Sequence, residues 1–93
     1  MKVLVADNLN KAGLEWLEKQ EGVEVDVKTG LSPEELAQII DGYDGMIVRS
    51  GAKVTKEVLE RASRLKCIAR AGVGVDNIDV AAATAKGIIV MNT

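Results

Sequence analysis

The sequence predicts an α/β fold, a doubly wound parallel sheet of five strands interleaved with four helices. Two observations predict it. Short aliphatic runs alternate with stretches of helical spacing along all 93 residues. Most of those runs are continuously apolar, as strands covered on both faces require. Hydrophobic residues make up 47% of the chain, yet Trp16 and Tyr43 are the only aromatics. The core must therefore be built from Val, Ile, Leu and Ala.

The elements follow in order. Val3-Leu4-Val5-Ala6 reads as the first strand. Leu14 and Leu17 give residues 11–20 a helical stripe, and Gly22 is placed to end that segment. Val23, Val25 and Val27 alternate with Glu24 and Asp26, so the second strand has one exposed face and belongs at an edge. Ser32-Pro33-Glu34-Glu35 is a helix start: Ser32 as N-cap, Pro33 first in the helix, Glu35 closing a capping box. Leu36, Ile39 and Ile40 form its buried stripe.

Gly45-Met46-Ile47-Val48 is the third strand. Thr55 caps a helix carrying Val58, Leu59 and Ala62, on whose surface Arg64 is expected. The fourth strand spans 67–71. Asp79 caps a small-residue helix over 80–86, which Gly87 ends, and 88–91 is the fifth strand. With right-handed crossovers and the alternating second strand at an edge, the expected order is the flavodoxin-like 2-1-3-4-5. No linker or repeat divides the chain, which reads as one unit over 1–93.

Composition excludes several classes of partner. The formal net charge of −2 gives no field to attract nucleic acid or an anionic membrane. No apolar run reaches the ~20 residues that span a bilayer. No leader peptide is visible at Met1-Lys2-Val3, and the single Cys67 permits no internal disulfide. Cys67 reads as a small buried hydrophobe, and a cytoplasmic location fits.

In open α/β sheets, ligands bind beyond the carboxyl ends of the strands, where the strand order switches. Three sequence segments follow those ends: Asp7-Asn8, then Arg49-Ser50-Gly51, then Arg70 to Gly74. Arg49 reads either as a planar cation for a phosphate or carboxylate or as a loop-end arginine paired in solvent. Arg70 reads the same way, and Ala69 and Ala71 leave it room. Neighbouring strands lie ~4.8 Å apart, so one ligand can reach both arginines. Gly72-Val73-Gly74 permits close backbone approach, or makes an ordinary strand-to-helix turn. It is not a full dinucleotide fingerprint, since Asn77 stands at the third glycine position. Asp7 has no acid beside it and Arg49 follows the third strand, which argues against a phosphoacceptor receiver. The segment after the first strand also lacks the hydroxyl-rich loop of an FMN site.

Val48-Arg49-Ser50, Lys53-Val54-Thr55 and Arg70-Ala71-Gly72-Val73-Gly74-Val75-Asp76-Asn77 together resemble the substrate-binding domain of the D-isomer-specific 2-hydroxyacid dehydrogenases. The likeness runs over nearly the whole chain, and the two arginines favour the branch acting on phosphoglycerate. The resemblance implies that Arg49 and Arg70 contact the substrate phosphate with Ser50 nearby. It also implies that the Val73 and Gly74 amides hold the carboxylate, with Val73 close to the nicotinamide of NAD. The parent would oxidise 3-phosphoglycerate to 3-phosphohydroxypyruvate, the reaction that opens serine biosynthesis.

The family's catalytic histidine and NAD fingerprint belong to a second domain, expected outside this chain, which has no histidine. The chain is therefore expected to bind a phosphorylated 2-hydroxy acid, to hold no cofactor or metal, and to be inactive alone. A last helix of the first domain is expected to be missing as well. That would leave apolar surface beside Ile88, Ile89 and Val90, through which copies would pair. The rival reading is a small flavodoxin-like self-associating or scaffold module without catalysis.

Overall fold

In a computed structural model, residues 1–8, 11–49, 51–70 and 77–92 are described. The strands are β1 (Lys2–Val5), β2 (Glu24–Val27), β3 (Gly45–Val48), β4 (Cys67–Arg70) and β5 (Ile89–Asn92). The helices are α1 (Lys11–Glu18), α2 (Pro33–Ile39), α3 (Lys56–Glu60) and α4 (Val80–Ala85). All strand pairs are parallel, and the order is β2-β1-β3-β4-β5. The predicted sheet and its order are therefore observed.

Local chemistry explains where the helices start. Ser32 Oγ accepts from the Glu35 N–H while Glu35 Oε1 accepts from the Ser32 N–H, the reciprocal box expected ahead of Pro33. Thr55 and Asp79 cap α3 and α4 by accepting from the Val58 and Ala82 N–H groups. Gly87 adopts φ 77° directly after α4, a left-handed turn that glycine enters without steric penalty.

Several boundaries differ from expectation. Ile40 lies in a 3-10 turn, Ile40–Gly42, where the chain tightens after α2. Arg64 lies beyond α3, which stops at Glu60. Its guanidinium donates to Asp44 Oδ2 at 3.1 Å. Asp44 also accepts from the Lys2 N–H at 2.8 Å, and that bond chiefly holds its carboxyl below the usual range. Tyr43 donates its hydroxyl to Asp26 at 2.8 Å; burial, and then that bond, push its pKa up to about 12.

Right-handed crossovers in this strand order put α2, α3 and α4 on one face and α1 on the other. The core obeys this. Leu4, Met46, Val48 and Ile68 from the strands cluster with Leu36, Val58, Leu59 and Ala83 from the three helices. Each large fully buried aliphatic side chain there stabilises the fold by roughly 1.5–3 kcal/mol.

On the opposite face Val3 and Val5 of β1 are buried, but the β4–β5 end is open. Strand register places Ile47, Ala69 and Met91 in one row across this face, and Cys67 and Ile89 in the next. Ile89 is 62% and Met91 46% exposed. The exposed apolar pair is thus Ile89 and Met91 rather than the run 88–90. Side chains alternate along a strand, so Ile88 and Val90 turn toward the core. The same alternation leaves Cys67 half-buried instead of buried. Among the described residues, no helix is long and apolar enough to cross a membrane.

Candidate functional site

β1, β3 and β4 are neighbours and end at the same edge of the sheet, so Asp7, Arg49 and Arg70 follow from adjacent strands. Arg49 is exposed, and its Nη1 donates to the Asn8 carbonyl at 3.3 Å. A cavity of about 310 Å³ opens here, lined by Asp7, Asn8, Arg49 and Gly51.

Arg70, for which the sequence leaves both a ligand-facing and a solvent-paired role open, is drawn inward at the end of β4. It is only 9% exposed, pairs in register opposite Val48, and points to the core-side face. Its Nε donates to Asn77 Oδ1 at 2.8 Å. A nearly buried guanidinium needs such partners, because an uncompensated charge there would be strongly destabilising.

Two residues not singled out for function tie the arginines together. Asp7 Oδ2 accepts from the backbone N–H of Arg49 at 2.6 Å and of Ala52 at 2.9 Å. Asn77 Nδ2 donates to the carbonyls of the same two residues, each at 2.6 Å. This fixes the amide orientation, since a flipped Asn77 would set its oxygen against two carbonyl oxygens. Beyond it, the Val54 N–H donates to the Asn77 carbonyl at 2.8 Å and the Asp79 N–H to the Val54 carbonyl at 2.9 Å. Asp79 is thus a helix cap. The only sequence signal for Asp7 and Asn77 is the general tendency of Asp and Asn to bond backbone groups outside regular structure.

Ser50, Val73 and Gly74 lie outside the described residues, so the structure places neither Ser50 nor the backbone amides assigned to the carboxylate. Another cavity among the described residues, about 600 Å³, is lined by residues that include Ala37, Arg61, Glu34 and Glu57. One arginine against two carboxylates makes it a poorer anion site than the strand edge. Among the described residues, no group of three His, Cys, Asp or Glu could hold a metal ion. Gly72 and Gly74, the closely spaced glycine pair between β4 and α4, and Val73, assigned near the nicotinamide, lie outside the described residues.

A doubly wound parallel sheet with Arg49 and Arg70 at the ends of adjacent strands defines the class as an open α/β domain. The chain belongs to the D-isomer-specific 2-hydroxyacid dehydrogenases, matching the catalytic domain of that family over residues 3–93. It is 56% identical to D-3-phosphoglycerate dehydrogenase of Methanocaldococcus jannaschii over 92 residues, and 47% identical to that of Homo sapiens. Those alignments take in 99% of this chain but 17% of either relative. Among solved structures, the fold is similar to NAD+-bound 3-phosphoglycerate dehydrogenase of Entamoeba histolytica, with TM-score 0.90 and 32% identity. That match covers all of this chain and 32% of the other. A Pyrococcus horikoshii protein aligns with TM-score 0.92 and 41% identity over 99% of this chain and 27% of its own.

Proposed function

We propose that this chain is the substrate-binding portion of an NAD-dependent D-3-phosphoglycerate dehydrogenase. The parent enzyme would convert 3-phosphoglycerate to 3-phosphohydroxypyruvate in the cytoplasm, at the start of serine biosynthesis. One observation carries the reading. The nearly buried Arg70 is tied through Asn77 to the backbone of Arg49, so two cations are held at the ligand edge of the sheet. Arg49 and Arg70 neutralise and orient the phosphate with Ser50 nearby, and the Val73 and Gly74 amides hold the carboxylate. NAD would supply hydride acceptance in the nucleotide domain of the parent enzyme.

Without a histidine, these residues bind and orient but provide no imidazole to take the hydroxyl proton. The purified chain is expected to produce no NADH from 3-phosphoglycerate and NAD. It should still bind 3-phosphoglycerate at a millimolar Kd, about −4 kcal/mol, and more weakly as salt rises. In an NMR titration, Arg49→Ala and Arg70→Ala should each weaken binding by about 1–2 kcal/mol. Arg64→Ala should change little, because Arg64 pairs with Asp44 at the opposite end of the strands. Shifts spread evenly over all basic residues, or steady turnover by the chain alone, would refute the reading.

The face bearing Ile89 and Met91 supports a further part of the proposal, that copies of the chain pair through it. Sedimentation should then give a concentration-dependent dimer, which Met91→Glu disrupts. A monomer at every concentration would rule out pairing.

A further inference from the structure

Asp7 and Asn77 grip one short piece of backbone from two sides. β3 ends at Val48, so the strand ladder no longer supports the turn that follows. Asp7 takes the N–H groups of Arg49 and Ala52, and Asn77 donates to both of their carbonyls. The remaining polar atom of the Asn77 amide, Oδ1, accepts from Arg70 Nε. The isolated parallel bridge between Val54 and Ile78 holds the Asn77 backbone beside the turn. One side chain therefore orients the Arg70 guanidinium and the backbone that carries Arg49, while the other clamps that backbone onto the end of β1.

Asp7 is also a carboxylate lining the very cavity where Arg49 would meet an anion. Electrostatics alone makes it a hindrance there, since a like charge opposes the ligand. Its two short bonds to backbone N–H groups give it a different task. We propose that Asp7 and Asn77 are positioning residues, a clasp that sets Arg49 and Arg70 at a fixed separation and so selects a phosphorylated ligand reached by both. This inference rests on the reading of the strand edge as an anion site.

The two roles of Asp7 predict opposite signs. If its charge were what mattered, Asp7→Ala and Asp7→Asn would both tighten anion binding. If it is a clasp, Asp7→Ala weakens binding although a negative charge has gone. Asp7→Asn stays within about threefold of wild type, because its amide oxygen still accepts from both N–H groups.

The test is an NMR titration of the full chain and its variants with 3-phosphoglycerate, following Arg49, Arg70 and the Arg70 Nε–H resonance. Asp7→Ala, which loses two hydrogen bonds to backbone N–H groups, and Asn77→Ala, which loses three, should each raise Kd about tenfold. The Arg70 Nε–H signal should move in Asn77→Ala before any ligand is added, and Asp7→Asn should restore near-normal affinity. Tighter binding by Asp7→Ala overturns the clasp, as does wild-type affinity in folded Asn77→Ala. Should Asp7→Ala not fold, Asn77→Ala and its Arg70 resonance decide alone. If the wild-type chain shows no phosphate-dependent shift at Arg49 or Arg70, the anion site itself fails and the clasp falls with it. Normal wild-type binding with unaffected variants overturns the clasp only.

Discussion

Replacing Ile68 with alanine should destabilise the chain by about 3–4 kcal/mol, a large share of the roughly 5–14 kcal/mol expected for a domain of this size. Ile68 is fully buried, in a strand with neighbours on both sides, and belongs to the cluster that joins the sheet to its three-helix layer. The loss combines the transfer free energy of the missing carbons with the cavity left behind. β4 is paired on both edges and cannot move in to fill it. Arg70 shares this face of β4 two residues on, so the variant should also bind 3-phosphoglycerate less well at temperatures where it remains folded. Urea denaturation measures the first effect. A change under 1 kcal/mol would mean that the cluster is not the core.

A smaller substitution should have an effect nearly as large at the site. A Cβ added to Gly51 would lie 2.6 Å from Asp7 Oδ1, well inside van der Waals contact. The carboxylate has little freedom to yield, because its other oxygen holds the Arg49 and Ala52 N–H groups. Gly51→Ala should therefore destabilise the chain by about 1–3 kcal/mol through overpacking and should loosen Arg49. The crowded partner can be removed to test the cause. In an Asp7→Ala background, Gly51→Ala should cost less than about 0.5 kcal/mol, so a double-mutant cycle should return strong coupling. Additive losses would place the cost in the Gly51 backbone instead.

Much of this molecule was legible before any coordinate. The Ser32–Glu35 box, the Thr55 and Asp79 caps and the run 45–48 depend on residues within a few positions of one another, and each appears where local chemistry puts it. The strand order followed from the alternating second strand together with the handedness of crossovers. The likeness to 2-hydroxyacid dehydrogenases was carried by contiguous motifs, and the family match over 3–93 bears it out.

By itself, then, the sequence determined the sheet, its order and the family. Only the tertiary structure decided what Arg70, Asp7 and Asn77 do at the strand edge. Local pattern left Arg70 between a ligand-facing cation and a solvent-paired one, whereas strand pairing turns it to the core-side face and leaves it nearly buried against Asn77. The bonds of Asp7 join residues 42 and 45 positions apart, and those of Asn77 to the turn backbone join residues 28 and 25 apart. No periodicity or spacing encodes such pairs, because they exist only once parallel strands bring distant chain segments to one edge. The same holds for the exposure of Ile89 and Met91. An apolar run shows that a strand forms, but which of its two sides a helix covers depends on the path of the whole chain.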